Sequence, residues 1–423
     1  MSGPLQTDQP PSLKRRAKQY AMIIRLLYGQ QGLTGSLYGA TRGARHVGLQ
    51  VRLGDPLKLD QAIRLAEPLA LSCGVNAVMA QRYKGVVSYQ IELPTSLWEY
   101  YTRSDLPGTL GVGLAEQRRL VQFDFDPPHA LVAGTTGAGK TETVKSILVA
   151  LTEHYTPADL GLVLIDPNRE LEEFDNEAHL LVPAVYKPDQ IRNTLTWVDD
   201  QLVHRKRENI KDGPKIVVVV EEGAADEVLG DDRNKVVLQN IGQEGRKYQV
   251  HLILGTQKPT HKDLPGVLDK LLDKWVGQLS DAKTSANVTG HAGLEAHKLT
   301  SKGDFLHING PVIRRFQVAM ATQADYDNLT RKEVQPVTVS DRDIIDLPAT
   351  LPEPDVGGRP PIELNAKLLA KYFYYGPPNI TEALARELFG VKRTGHILHR
   401  DFCSEFAREF MRLRRAKLQL GVG

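Results

Sequence analysis

The sequence of 423 residues predicts an α/β fold: a parallel-sheet core, a small α+β domain before it and a helical, helix-turn-helix-like domain after it. Three observations carry this reading. Ala130–Ala133, Leu162–Ile165, Ile216–Val220 and His251–Leu254 are short apolar runs, broken only by His251, as in strands covered on both faces. Helix-forming stretches at 142–153, 188–209 and 233–247 lie between them, and such alternation gives a doubly wound sheet. A glycine-rich octapeptide, Gly134-Thr-Thr-Gly-Ala-Gly-Lys-Thr141, joins the first of these strands to the first of these helices.

The elements follow in order. Residues 1–30 form a basic N-terminal segment, Pro/Gln-rich at its start and a short helix over 12–28. Residues 31–105 read as a small βαββ accessory domain. His46–Leu53 alternates as a strand, Leu57–Ser72 carries Leu59, Ile63, Leu65 and Leu69 at helical spacing, and Val75–Met79 and Val86–Leu93 are strands flanking a Lys84-Gly85 turn. The α/β core occupies 106–335. Residues 336–361 hold six of the 25 prolines with Gly357 and Gly358, the composition of a linker. In 362–423, Ile380–Gly390 reads as a short helix, Val391–Arg393 as a turn and Thr394–Arg415 as a longer helix. Lys392, Arg393, His396, His399 and Arg400 open that second helix, where such helices meet bases or phosphates. His396 and His399 have no third ligand nearby, which argues against a metal site there.

Composition narrows the classes. With 41% apolar and 25% charged residues the chain is globular. No apolar run approaches the ~18 residues of a membrane helix, and Arg25 breaks the N-terminal apolar run that a signal peptide would need. Cys73 and Cys403, the only two cysteines, make neither a disulfide scaffold nor a cysteine zinc site, so a reducing cytoplasm is the expected setting. The net charge of +2 conceals a pattern: Gln9–Leu53 carries eight basic residues and no acid, Lys392–Lys417 has a net charge of +5, and the remainder is acidic. Two basic ends suit a polyanionic partner.

The octapeptide satisfies the P-loop pattern, so the core is expected to be a P-loop NTPase, RecA-like, using ATP and Mg²⁺. Gly134, Thr135, Thr136, Gly137, Ala138 and Gly139 would wrap the phosphates, and the following helix, with Glu142 in its first turn, would add partial positive charge. Lys140 would reach the β- and γ-phosphates and Thr141 would bind Mg²⁺. Ile216–Val220 ends in Glu221-Glu222, a Walker B strand: the first acid belongs near the metal and the second can polarise the attacking water. Glu221 stands where an aspartate is usual. Gln257, in Gly255-Thr-Gln at the tip of the strand His251–Leu254, is placed to sense the γ-phosphate or orient water.

Together these segments resemble the FtsK/SpoIIIE family of DNA-translocating ATPases, within the wider FtsK–HerA group. His129–Thr141 resembles its P-loop, Leu164-Ile-Asp166-Pro167 its next strand, Thr196-Trp197 to Arg205 the helix that follows, Gly255–Pro259 its Ala-Thr-Gln-Arg-Pro, and Lys302–Phe305 its closing Gly-Lys-Gly-Asp. Leu49–Pro94 is similar to the small domain before the motor, and the likeness covers roughly residues 45–325. The resemblance implies a hexameric ring threaded by double-stranded DNA, with ATP hydrolysed at subunit interfaces to drive translocation. It implies an arginine from the neighbouring subunit, for which Arg246 is the candidate, ahead of Lys274 and Lys283. The expectation is a member lacking the family's membrane-spanning region: a soluble motor, or one recruited by a membrane-associated, recombination or conjugation partner. The segment between Arg207 and Lys215 is short, and Arg205, Lys206, Arg207, Lys211 and Lys215 are the candidates there for contacting DNA. Two other readings stand beside this one: a conjugation or mobile-element DNA pump with the same motor, and a DNA-binding protein using ATP as a switch with little translocation.

Overall fold

The computed structural model describes residues 13–330 apart from 84, 109, 292, 293 and 301. The expected linker and the helix-turn-helix region, with Lys392, Arg393, His396 and Arg400, lie outside the described residues. Chain contacts divide the molecule into one unit, Met1–Asp175 with His179–Leu329, and a second, Asn176–Ala178 with Thr330–Gly423. Every element below belongs to the first.

The accessory domain begins with α1 (Leu13–Gln30), which buries Tyr20, Ile24 and Tyr28 on one stripe and leaves Lys14, Arg15, Lys18 and Arg25 exposed. Then come β1 (Gly35–Arg42), β2 (His46–Leu53), α2 (Leu59–Ile63), α3 (Ala66–Cys73), β3 (Val78–Tyr83) and β4 (Val86–Glu92). The strands form an antiparallel sheet in the order β1-β2-β4-β3. Two expectations are corrected. Of the segment expected over 1–30, the described part, 13–30, is not separate from the domain, because Tyr20, Ile24 and Tyr28 share one apolar core with Leu49, Leu69, Val87 and Ile91. The sheet also has four strands rather than three. The addition, β1, is an edge strand exposed at most positions, so it lacks the apolar alternation that marks a strand. The Tyr28 and Tyr89 hydroxyls meet at 2.9 Å inside this core, and Tyr89 donates to the Ala62 carbonyl at 2.6 Å.

The core domain runs β5 (Tyr101–Thr102), β6 (Gly111–Ala115), β7 (Leu120–Gln122), β8 (His129–Ala133), α4 (Lys140–His154), β9 (Leu160–Ile165), α5 (Pro188–Arg207), β10 (Lys215–Val220), α6 (Asp226–Leu229), α7 (Asp232–Glu244), β11 (Val250–Thr256), β12 (Asp273–Val276), α8 (Ala282–Thr289), β13 (Asp304–Asn309), β14 (Val312–Met320) and α9 (Gln323–Asp327). The sheet order is β7-β6-β14-β13-β12-β8-β11-β10-β9, with β5 paired to β14. Strands β12, β8, β11, β10 and β9 are mutually parallel, and β13, β14, β6 and β7 extend them antiparallel. The sheet is therefore mixed, where a parallel sheet was expected. Because β5 joins it, residues 101–102 belong to the core domain, ahead of the expected boundary at 106.

Side chains alternate across the central strands, and both sets are buried. Leu131, Val163, Val218 and Leu252 pack with Leu195 and Val198 of α5 and Leu238 and Ile241 of α7. Ala130, Leu162, Val217 and Ile253 pack on the other face with Val144, Ile147 and Leu151 of α4. Two covered faces explain the unbroken apolar runs. They also bring the C-terminal tips of β8, β10 and β11 side by side, where ligands gather in open α/β sheets. Among the described residues no helix is long and apolar enough to cross a membrane.

The two domains meet through polar groups. Glu116 accepts from Thr41 Oγ1 (2.7 Å), His46 Nε2 (2.9 Å) and Gln90 Nε2 (3.2 Å). Arg45, buried beneath Trp98 and Tyr100, donates to the Lys302 carbonyl.

Candidate functional site

The loop 134–139 leaves the tip of β8 and turns into α4 through Gly139, at φ +100° with no side-chain cap. An uncapped helix N-terminus leaves backbone N–H groups for an anion. Two of the expected phosphate-binding residues instead shape the loop. The Thr135 N–H donates to the Gln278 carbonyl (2.8 Å), and the Ala138 N–H turns back to the Thr135 carbonyl (3.0 Å). The loop rests on a cradle: the Lys302 N–H donates to Gly137 O (3.1 Å) and the Gly303 N–H to Ala138 O (2.7 Å). A Cβ on Gly139 would fall 2.8 Å from the Gly303 nitrogen, so the contact requires glycine.

Lys140, 5% exposed, pairs with Glu221 Oε1 and lies 3.8 Å from Glu222 Oε2. Thr141 Oγ1 donates to the same Glu221 oxygen at 3.0 Å and to Glu170 Oε2 at 2.8 Å. Glu221 is fully buried, and its Oε2 has no hydrogen-bond partner. Burial pushes its carboxyl up to about 7, although Lys140 and Thr141 pull the other way. Glu222, the next residue, stands at φ +56°, which aims its carboxylate back over the tip of β11. There it accepts from the Gln257 N–H (3.2 and 3.3 Å) and from Thr256 Oγ1 (3.3 Å). The Gln257 Oε1 in turn accepts from Thr136 Oγ1 (2.8 Å), tying the sensor strand to the P-loop. Glu142 lies in the first turn of α4, partly exposed.

Lys140, Thr141, Glu221, Glu222 and Gln257 thus converge on one cluster. Glu170, in the loop after β9, completes it. Sequence reasoning missed Glu170 because it is one of several acids in 170–175 with nothing in its spacing to single it out. Asp166, buried at the end of β9, receives the Leu171 N–H (2.8 Å) and so fixes that loop.

Mg²⁺ fits this arrangement. The donors are all oxygen, as a hard cation requires: the Thr141 hydroxyl lies 3.0 Å from Glu221 Oε1, and the other oxygen of that buried carboxylate has no hydrogen-bond partner. Thr141 and Glu221 would hold the ion, with Glu170 close by. Among the described residues no group of three or more His, Cys, Asp or Glu side chains forms a ready metal site.

Other candidates lie elsewhere. Arg246 precedes β11, while Gln257 follows it; the strand separates them by about 20 Å. Its side chain is 70% exposed, 3.7 Å from Asp126, outside the site of its own chain. Arg205 is corrected: it is buried, and its guanidinium donates to the carbonyls of Tyr248 (2.8 Å), Gln249 (3.4 Å) and Pro214 (2.8 Å), so it clamps the end of α5 rather than facing a duplex. Lys206 and Arg207 are exposed and paired with Glu244 (2.6 Å) and Glu208 (2.9 Å), and Lys211 is exposed in the short loop. Lys274 donates to the Val288 carbonyl at 2.7 Å, and Lys283 is exposed on α8.

Residues 97–269 match the model of the FtsK/SpoIIIE family. The DNA translocase FtsK of Leptospira interrogans is 26% identical over 342 residues, covering 71% of this chain and 35% of that protein. That of Mycobacterium leprae is 26% identical over 369 residues, covering 76% and 44%. The chain spans less than half the length of these curated relatives. A solved structure of the pCW3 conjugation coupling protein TcpA is 17% identical with a TM-score of 0.45, covering 72% of this chain and 95% of that one.

Proposed function

We propose, from the match of residues 97–269 to the FtsK/SpoIIIE family model, that the chain is an ATP-driven motor that moves double-stranded DNA through a hexameric ring of its own copies. The observation that carries this reading is the convergence of Lys140, Thr141, Glu221, Glu222 and Gln257 at the tips of β8, β10 and β11. The phosphates of ATP settle on the N-terminus of α4 and draw Lys140 away from Glu221. Thr141 and Glu221 would hold Mg²⁺, which would supply positive charge against the phosphates. Glu222 accepts the proton of the attacking water, and Gln257, bonded to both Glu222 and the P-loop, reports whether the γ-phosphate is present. Arg246 acts on the site of the neighbouring subunit, a role for which its distance from its own P-loop is suited. Lys206, Arg207, Lys211 and the region 362–423, with Lys392, Arg393, His396 and Arg400, hold the duplex. The test is ATP turnover by the full chain with and without duplex DNA: turnover rises severalfold on adding duplex if the motor is coupled to DNA, and an indifferent rate refutes the coupling.

A further inference from the structure

Gly255 is the one residue of β11 without a side chain, and the strand's backbone does not require it. Its φ lies outside the left-handed region, so glycine is not there for its conformational freedom. An interior glycine in a strand with ordinary dihedrals points to a close approach from another group, and the group here is Glu221. Strands β10 and β11 are parallel with Val220 opposite Leu254, which sets Glu221 beside Gly255 one step further on. A Cβ on residue 255 would clash with Glu221 Oε2 and fall 3.3 Å from its Cδ. That oxygen is buried with no hydrogen-bond partner, while Oε1 of the same carboxylate is held by Lys140 and by Thr141. The empty volume over Gly255 is therefore where the second half of the carboxylate sits.

The aspartate usual at this place in a Walker B strand is one methylene shorter and would not reach that volume. We propose that Gly255 is a positioning residue for the nucleotide site: its missing side chain lets a glutamate occupy position 221, and the two positions function as a coupled pair. The inference rests on reading this cluster as the Mg²⁺–ATP site. The ladder fixes the backbone of both strands, so an alanine at 255 displaces the part of Glu221 that can move, its carboxylate. That swing takes Oε1 away from Thr141 and Lys140. Displacement of a reacting group by about 1 Å can cost up to about 10²-fold in rate. In a Glu221→Asp chain the shorter carboxylate is withdrawn from residue 255, and an alanine Cβ finds room.

The experiment compares the full-length wild type with Gly255→Ala, Glu221→Asp and the double variant. The readouts are affinity for a fluorescent ATP analogue as Mg²⁺ is titrated, and ATP turnover. Gly255→Ala loses about tenfold or more of the Mg²⁺-dependent affinity gain and of turnover, and the double variant recovers most of that loss. Equality of Gly255→Ala with the wild type, or a double variant no better than Gly255→Ala, overturns the proposal. A second cycle uses melting temperature without nucleotide: Gly255→Ala lowers it when residue 221 is glutamate and leaves it unchanged in a Glu221→Ala chain. A loss that is equal in both backgrounds, or failure of the chain carrying both Glu221→Ala and Gly255→Ala to fold, marks Gly255 as merely structural and overturns the pairing. Absence of nucleotide binding by the wild type refutes the site's assignment and leaves this second cycle still able to decide the pair.

Discussion

Glu222 holds a backbone conformation that glutamate rarely adopts. A non-glycine residue in the left-handed region costs on the order of 1–3 kcal/mol, and such strain collects at functional sites. Here φ +56° turns the carboxylate toward Gln257 and Lys140 instead of letting it continue the line of β10. Glu222→Gln keeps the side chain's shape and removes its basicity. Nucleotide binding should persist, while hydrolysis in a single-turnover assay falls about 10²-fold or more; normal hydrolysis would remove Glu222 from its role as base. The residues of this cluster were legible in the sequence where a motif fixes their spacing, as for Lys140, Thr141, Glu221, Glu222 and Gln257. Arg205 was not legible, because a basic residue looks the same in sequence whether it faces a duplex or clamps three carbonyls. Gly255 belongs to a recognisable motif, but its contact with Glu221 exists only once β10 and β11 are in register.

At the scale of elements, the central strands could be read from their unbroken apolar runs because both faces are covered. Strands β12 to β14 could not. They mix buried residues with charges such as Asp273, Lys274, Arg314 and Arg315, and although β13 and β14 form a hairpin, β12 pairs with β8 and β14 with β6, both distant in sequence. The turn that leads into β13 nonetheless matters to the site, since Lys302 and Gly303 cradle the P-loop. Gly303 lies at φ +88°, and a Cβ there would approach Gln317 Nε2 to 2.6 Å. Gly303→Ala should therefore cost about 1–3 kcal/mol of strain and steric conflict. Because the P-loop rests on this turn, ATP affinity measured by calorimetry should fall about tenfold, since each factor of ten is about 1.4 kcal/mol. Unchanged affinity would show that the cradle is not transmitted to the phosphates.

At the scale of the molecule, the accessory domain and the core form one unit joined by buried charge. Arg315 donates to both oxygens of Asp304, at 3.0 and 2.7 Å, below the Arg45–Lys302 contact. Burial alone would raise the Asp304 carboxyl, but Arg315 outweighs it and holds it at about 2 against an ordinary 3.8. Burial raises Glu116 in the same way, and its bonds to His46, Thr41 and Gln90 bring it to about 2. Burial and nearby Arg315 keep His46 below its usual range, so at neutral pH it serves Glu116 as a neutral N–H donor. A depressed carboxyl contributes stability that is complete above the unfolded pKa and is lost as pH falls through the folded one. Asp304 should thus contribute about 2 kcal/mol that disappears between about pH 4 and pH 2. Urea unfolding across that window should show the loss in the wild type and a fall smaller by about that amount in Asp304→Asn. Equal falls would place the acid sensitivity elsewhere.

The basic stretches 9–53 and 392–417 flank the motor in sequence. Of the first, α1 turns Lys14, Arg15, Lys18 and Arg25 outward, whereas Arg45 is spent on the join between domains. The central claim, that ATP hydrolysis at this site moves the chain along duplex DNA, is tested most directly by displacement of a triplex-forming strand from a long duplex. The wild-type chain with ATP and Mg²⁺ should release the third strand, and the Glu222→Gln chain should bind the same duplex without releasing it. Release that is absent in the wild type, or equally fast in the Glu222→Gln chain, would contradict the account.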